Sequence, residues 1–150
     1  MNEINWLSML LATATPLTIG YLYYHPAVFG AAWKDSMGAI SEDRTPVQKA
    51  VMIGVGLLVS FLLSFFLLVF NNEGINQEGD FDNFPHGAWH GFFIFVTVVT
   101  PIVVLSGLRS RMKAKHILIH LLYWLITLAL IGGIVDAMNH WQNIPMPEGY

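Results

Sequence analysis

His86 and His90 stand four residues apart, and Asp136 and His140 repeat that interval near the end of the chain. On a helix each pair shares one face. The first pair opens one long apolar run and the second closes the next. Nineteen residues separate His90 from Arg109 and twenty-one separate Asp136 from Lys115. At about 1.5 Å per helical residue those depths differ by about 3 Å, less than one turn. Joined by a short connection, the two runs become antiparallel neighbours, and three imidazoles and one carboxylate can converge. That donor set suits zinc and other first-row divalent ions. It does not suit a metalloprotease, because His86-Gly87-Ala88-Trp89-His90 lacks the glutamate that serves as general base in a His-Glu-x-x-His helix. Two other roles fit the same residues. Histidines at a membrane boundary bond to water, headgroups or a neighbouring carboxylate, and imidazoles also serve proton-linked or pH-sensing functions.

A second group of histidines comprises His25, His116 and His120. Two imidazoles on different helices are able in principle to ligate a haem iron. The plainer reading places His116 among four cations at the headgroup level, with His120 one turn deeper, bonded to a backbone carbonyl or to Tyr23, Tyr24 or Tyr123. Between these groups the apolar runs hold no acidic or basic residue at their centres, which argues against a voltage sensor or a carboxylate relay in mid-membrane.

The elements that would position these side chains follow from composition. The chain has 150 residues, 55% apolar and 11% charged. Soluble domains carry about a quarter charged residues, so this is a membrane protein of a single domain spanning 1–150. Crossing about 30 Å of hydrocarbon takes about 20 apolar residues in a helix. Four charge-free runs meet that length, at 6–24, 50–70, 88–107 and 117–135. The seven cations fall in two windows, Lys34, Arg44 and Lys49 in the first and Arg109, Arg111, Lys113 and Lys115 in the second. Under the positive-inside rule both windows face the cytoplasm and both termini face outward. The loop with Glu73, Glu78, Asp80 and Asp82 and no cation agrees. Trp6, Trp89 and Trp141 then anchor the outer boundary, with Tyr21, Tyr23, Tyr24 and Trp33 at the inner one.

A net charge of −3 and segregated cations exclude a nucleic-acid binder. With no cysteine there is no disulfide, thiolate metal site or cysteine nucleophile, and the redox compartment is left open. Ala12-Thr13-Ala14 looks like a signal-peptide cleavage site, but the preceding residues include Glu3 and no cation, unlike a secretory leader. Thr45-Pro46 reads as a cap and first position for the second run, and Asp82 or Asn83 as the cap of the third. Pro16 and Pro101 each follow a threonine inside a run, either as independent kinks or as a trace of two related hairpins. Gly54, Gly56, Ser60, Ser64, Gly132 and Gly133 offer close helix contacts. The segment Ala27 to Gly38, with Phe29, Trp33 and Met37 at four-residue spacing, reads as a short interfacial helix. The patch Arg109, Arg111, Lys113 and Lys115 sets topology and meets anionic headgroups.

Asn5-Trp6, then Gly20-Tyr21-Leu22-Tyr23-Tyr24-His25-Pro26 with Phe29-Gly30 and Trp33, resemble the opening signature of the small membrane-protein family called domain of unknown function 1761. Asn83-Phe84-Pro85-His86-Gly87-Ala88-Trp89-His90-Gly91 is similar to the entry to the third span in some members, and Tyr123-Trp124 with Gly132-Gly133 to the last span. The likeness covers almost the whole chain and implies a four-helix bacterial inner-membrane protein, with no activity attached. Two features depart from it. Ser106-Gly107-Leu108-Arg109 stands where some members carry an acidic residue, and Asp136 with His140 matches no family pattern.

The expectation is an all-α, integral membrane four-helix bundle of two antiparallel hairpins with both termini outside. It acts as a non-catalytic component, with no nucleophile paired to a base and no phosphate loop, and it packs against itself or as an accessory subunit of a membrane complex. The alternative is a metal- or proton-linked binding or transport protein using His86, His90, Asp136 and His140. A third class, a lipid-modifying enzyme, has only the outer histidines as bases.

Overall fold

In a computed structural model of the chain, which describes residues 4–37, 45–71 and 83–139, every regular element is helical among the described residues. Three of the helices begin where a polar side chain covers open backbone N–H groups, while α6 starts without such a cap. The Asn5 side chain accepts from the N–H groups of Leu7 and Ser8 at the start of α1, Trp6–Tyr23. Thr45 and Gln48 bond reciprocally ahead of α3, Pro46–Asn71, forming a capping box with proline at its first position. Asn83 accepts from the His86 N–H at the start of α4, Phe84–Ile94. Between α1 and α3 lie one π-helical turn, Pro26–Gly30, and the short α2, Ala31–Met37.

The rod that begins with α4 continues through a second π-helical turn, Phe95–Val99, into α5, Thr100–Arg109. The wide turn has a cause. Proline in a helix interior removes one N–H and clashes with the carbonyl four residues back. Ahead of Pro101 the Thr100 N–H reaches back five residues to the Phe95 carbonyl, and the Thr97 hydroxyl bonds to the Phe93 carbonyl. Pro16, in contrast, sits within an uninterrupted α1, where the Tyr123 hydroxyl donates to its carbonyl at 2.9 Å. The two prolines are accommodated differently, as independent kinks would be.

A tight turn at 110–113 links α5 to α6, Ala114–Met138, with Arg111 at φ 53°. The left-handed conformation is uncommon for a residue with a Cβ. Hydrogen bonds from Arg111 N–H to Leu108 and from Met112 N–H to Gly107 hold it. A connection this short makes α4–α5 and α6 antiparallel partners, and α4 with α6 is the most extensive helix pair. α1 also runs antiparallel to α6, since Asn5 bonds to Asn139 and Met138 while Tyr23 bonds to Ile119. Asn139 is buried and gives its amide protons to Ser8 and to the Val135 carbonyl. The first described residues are thereby fastened to the end of the last helix.

Met9, Ala12, Leu67, Leu68, Ile94, Leu128, Ile131 and Val135 form the buried core. Outside it every long helix presents large apolar side chains, among them Leu10, Val51, Phe66, Phe93, Leu105 and Leu118. Water would not tolerate so much contiguous apolar surface, but lipid does. Three helices, Pro46–Phe70, Phe84–Arg109 and Ala114–Met138, are long and apolar enough to cross a membrane. α1, the 6–24 run, is a helix of 18 residues diluted by threonine, proline and tyrosine, and does not join that set.

Candidate functional site

Two clusters of polar and aromatic side chains lie at opposite ends of α6. At the first, glycine creates the geometry. Gly87 and Gly91 of α4 meet Gly132 and Leu128 of α6 backbone to backbone, so that a Cβ at Gly87 would meet the Gly132 carbonyl and one at Gly91 the Leu128 carbonyl. Gly87 and Gly91 make the small-x-x-x-small pattern that lets membrane helices approach closely. The consequence is local. With no side chain in the way, His86 lies against α6 with its Nδ1 2.8 Å from Asp136 Oδ2.

Asp136 is 3% exposed. A carboxylate so removed from water needs a partner, and the imidazole is one. A carboxylate accepts, so Nδ1 of His86 carries the proton that the two share. His90 follows one turn along, its ring edge-on to that of His86 at 4.3 Å between centroids, and Phe70 from α3 covers it at 5.2 Å. His86 therefore touches both Asp136 and His90. His140 and Trp141 lie outside the described residues, and among the described residues no group of three or more such side chains is placed to hold a metal ion. Asp136 is better placed to orient His86 than to be a ligand beside it.

The second cluster is built of rings. Tyr23 and Tyr24 at the end of α1, Trp33 of α2, and His116, His120, Tyr123 and Trp124 of α6 pack together. Trp33 stacks on His116 with centroids 3.8 Å apart and lies 5.6 Å from His120. α2 thus turns its tryptophan inward, against α6. Tyr23 and Tyr24 belong to the same inward group. Tyr21 is exposed, as are Trp6 and Trp89 at the other end.

Hydrogen bonds define the tautomer of His120. The Trp124 indole N–H can only donate, and it points at His120 Nε2 at 3.2 Å. Neutral His120 then holds its proton on Nδ1 and donates it to the Tyr24 hydroxyl at 3.1 Å. Of the tyrosines weighed as partners for His120, Tyr24 is the one bonded to it. Both ring nitrogens are used, so neither is available to a haem iron. His25 caps the turn that follows, its Nδ1 accepting from the Ala27 N–H.

Beside this cluster a cavity of about 460 Å³ opens between α5 and α6. Trp33, His116, His120 and Trp124 wall one side, Val99, Ile102 and Val103 the other, and Gly107 and Met112 the end nearest the turn. Nothing in the spacing of these residues announces a cavity, because Trp33 reaches it from a separate element.

The fold and its two clusters define an all-helical protein with several membrane-compatible apolar helices. The family described as Protein of unknown function (DUF1761) matches residues 7–135, and the chain belongs to that family. Comparison with curated proteins and with solved structures returns no match.

Proposed function

We propose that the protein is a four-span inner-membrane protein with both termini outside, a non-catalytic component that packs against itself or against a larger membrane complex. The apolar surface carried by every long helix is the observation that carries this reading. Two further features support it. Asn5 and Asn139 meet, so both described ends lie on one side, and Arg109, Arg111, Lys113 and Lys115 gather at the opposite end of α6. α1, less apolar than its neighbours, crosses as a helix supported by α3 and α6.

The lack of native cysteine makes labelling direct. Asn2→Cys is expected to react with an impermeant maleimide on intact cells, and Ser110→Cys only after permeabilisation. The reverse pattern would overturn the orientation. Gentle detergent extraction is expected to return an oligomer or a co-purifying partner, and a lone monomer would sink the assembly role.

The 2.8 Å contact of His86 with Asp136 favours a second reading, a metal- or proton-linked binding or transport site on the outer side. Carboxylates commonly orient histidine ligands through the ring nitrogen that does not bind metal. Here His86 and His90 would ligate, Asp136 would orient His86, and His140 would complete the set. Zinc content measured in wild type, His90→Ala and His140→Ala tests it. Equal and negligible metal in all three ends the metal form of the idea.

A further inference from the structure

We propose that the cavity between α5 and α6 is a binding site for one anionic membrane lipid, whose acyl chain fills the cavity while its acidic headgroup meets the cationic turn. The inference rests on the membrane embedding proposed above and adds to it a ligand class.

Shape and lining point to a chain. From Gly107 of α5 to Val99 at the end of the π-helical turn the cavity follows the rod for eight residues, about 12 Å along its axis. Its volume of about 460 Å³ lies within the range of ligand sites. The walls are mostly apolar, and both nitrogens of His120 are spent on Tyr24 and Trp124. A polar solute would find few donors and acceptors there. The cavity is also open sideways, since Ile102 on its wall is 62% exposed. A ligand can therefore enter from the bilayer.

Charge points to the headgroup. Gly107, Met112, His116 and Ile117 line the cavity, and Arg109, Arg111, Lys113 and Lys115, all exposed, lie between them in the chain at its turn end without entering the lining. A basic pocket between membrane helices on the cytoplasmic side is the arrangement that recognises acidic headgroups. An ordinary boundary lipid would meet only a convex helix surface. Here Trp33 of α2 adds a third wall, which is what distinguishes a site from the general lipid contact.

Trp33 and Trp124 report occupancy. In a Trp6→Phe/Trp89→Phe/Trp141→Phe background they are the remaining tryptophans. This protein, reconstituted in phosphatidylcholine vesicles, receives an equal small mole fraction of either phosphatidylglycerol or phosphatidylcholine with brominated acyl chains, which quench indole fluorescence on contact. The expected result is a preference for the brominated phosphatidylglycerol of about fivefold or more, the ratio that corresponds to about 1 kcal/mol from one well-placed cation. Val103→Phe, which fills the cavity and leaves every cation in place, is expected to abolish the preference. Arg111→Gln/Lys113→Gln, which leaves the cavity open, is expected to reduce it, and keeps the test available if the filled variant does not fold. Equal quenching by the two lipids, or a preference unchanged by Val103→Phe, overturns the site while leaving the embedding intact. No quenching by either lipid overturns the embedding as well.

Discussion

His86 reaches Asp136 because residue 132 is glycine. The 2.8 Å contact between imidazole and carboxylate depends on α4 lying on α6 at backbone distance, and a Cβ at Gly132 would meet the Gly87 carbonyl one residue from His86. The polar pair and the packing beneath it are one structure.

Gly91→Val and Gly132→Val should each destabilise the protein by about 1 to 3 kcal/mol, the range for overpacking a close contact. Gly54→Ala, at a position with open space around it, should leave stability within about 0.5 kcal/mol. Thermal unfolding in detergent measures both, and similar melting temperatures for Gly132→Val and Gly54→Ala would refute the close-packing argument.

Removing His86 should do more harm than removing the pair. His86→Ala deprives a buried carboxylate of its imidazole, a loss of about 3 to 5 kcal/mol for a broken buried pair. The double variant His86→Ala/Asp136→Leu should recover much of that loss, because no buried charge is left behind. Strict additivity in the double-mutant cycle would show that the two side chains do not act together.

The indole proton of Trp124 dictates that neutral His120 is protonated at Nδ1. Nitrogen NMR of selectively labelled protein should find that tautomer in the wild type. A proton on Nε2 would mean that the indole bond is not formed in solution.

Asn139→Ala should loosen α1 by removing its bonds to Ser8 and Asn5 together. Polar bonds between membrane helices average about 0.6 kcal/mol, so a cost of about 1 kcal/mol is expected. Faster thiol labelling of a reporter at the buried α1 position Ala12→Cys in the Asn139→Ala background is the measurement, and an unchanged rate would count against the fastening role.

Helix positions were legible in the residues. Thr45 with Pro46 and Asn83 cap α3 and α4 as their types require, and the charge-free runs are the cores of the observed helices. His86, His90 and Asp136 were legible too, because four-residue spacing and equal depth are properties of a single helix and of a hairpin. The glycine seam was only half visible. Gly132 and Gly133 stood out, while Gly87 and Gly91 gain meaning only when another backbone lies opposite them. Trp33 illustrates the remaining gap, since Phe29, Trp33 and Met37 at helical spacing describe a lipid-facing stripe and a core-facing one equally well. What decides is the position of α6, and nothing local to residues 27–38 encodes it.

The fastening of Asn5 to Asn139 also bears on biogenesis. α1 is made before α6, yet its polar partners Asn139, Tyr123 and the Ile119 carbonyl belong to α6 and its cap. A segment diluted by proline and threonines has none of those partners until α6 has been synthesised. The seating of α1 then follows the synthesis of α6, and a chain truncated before α6 would leave α1 without the surface that holds it.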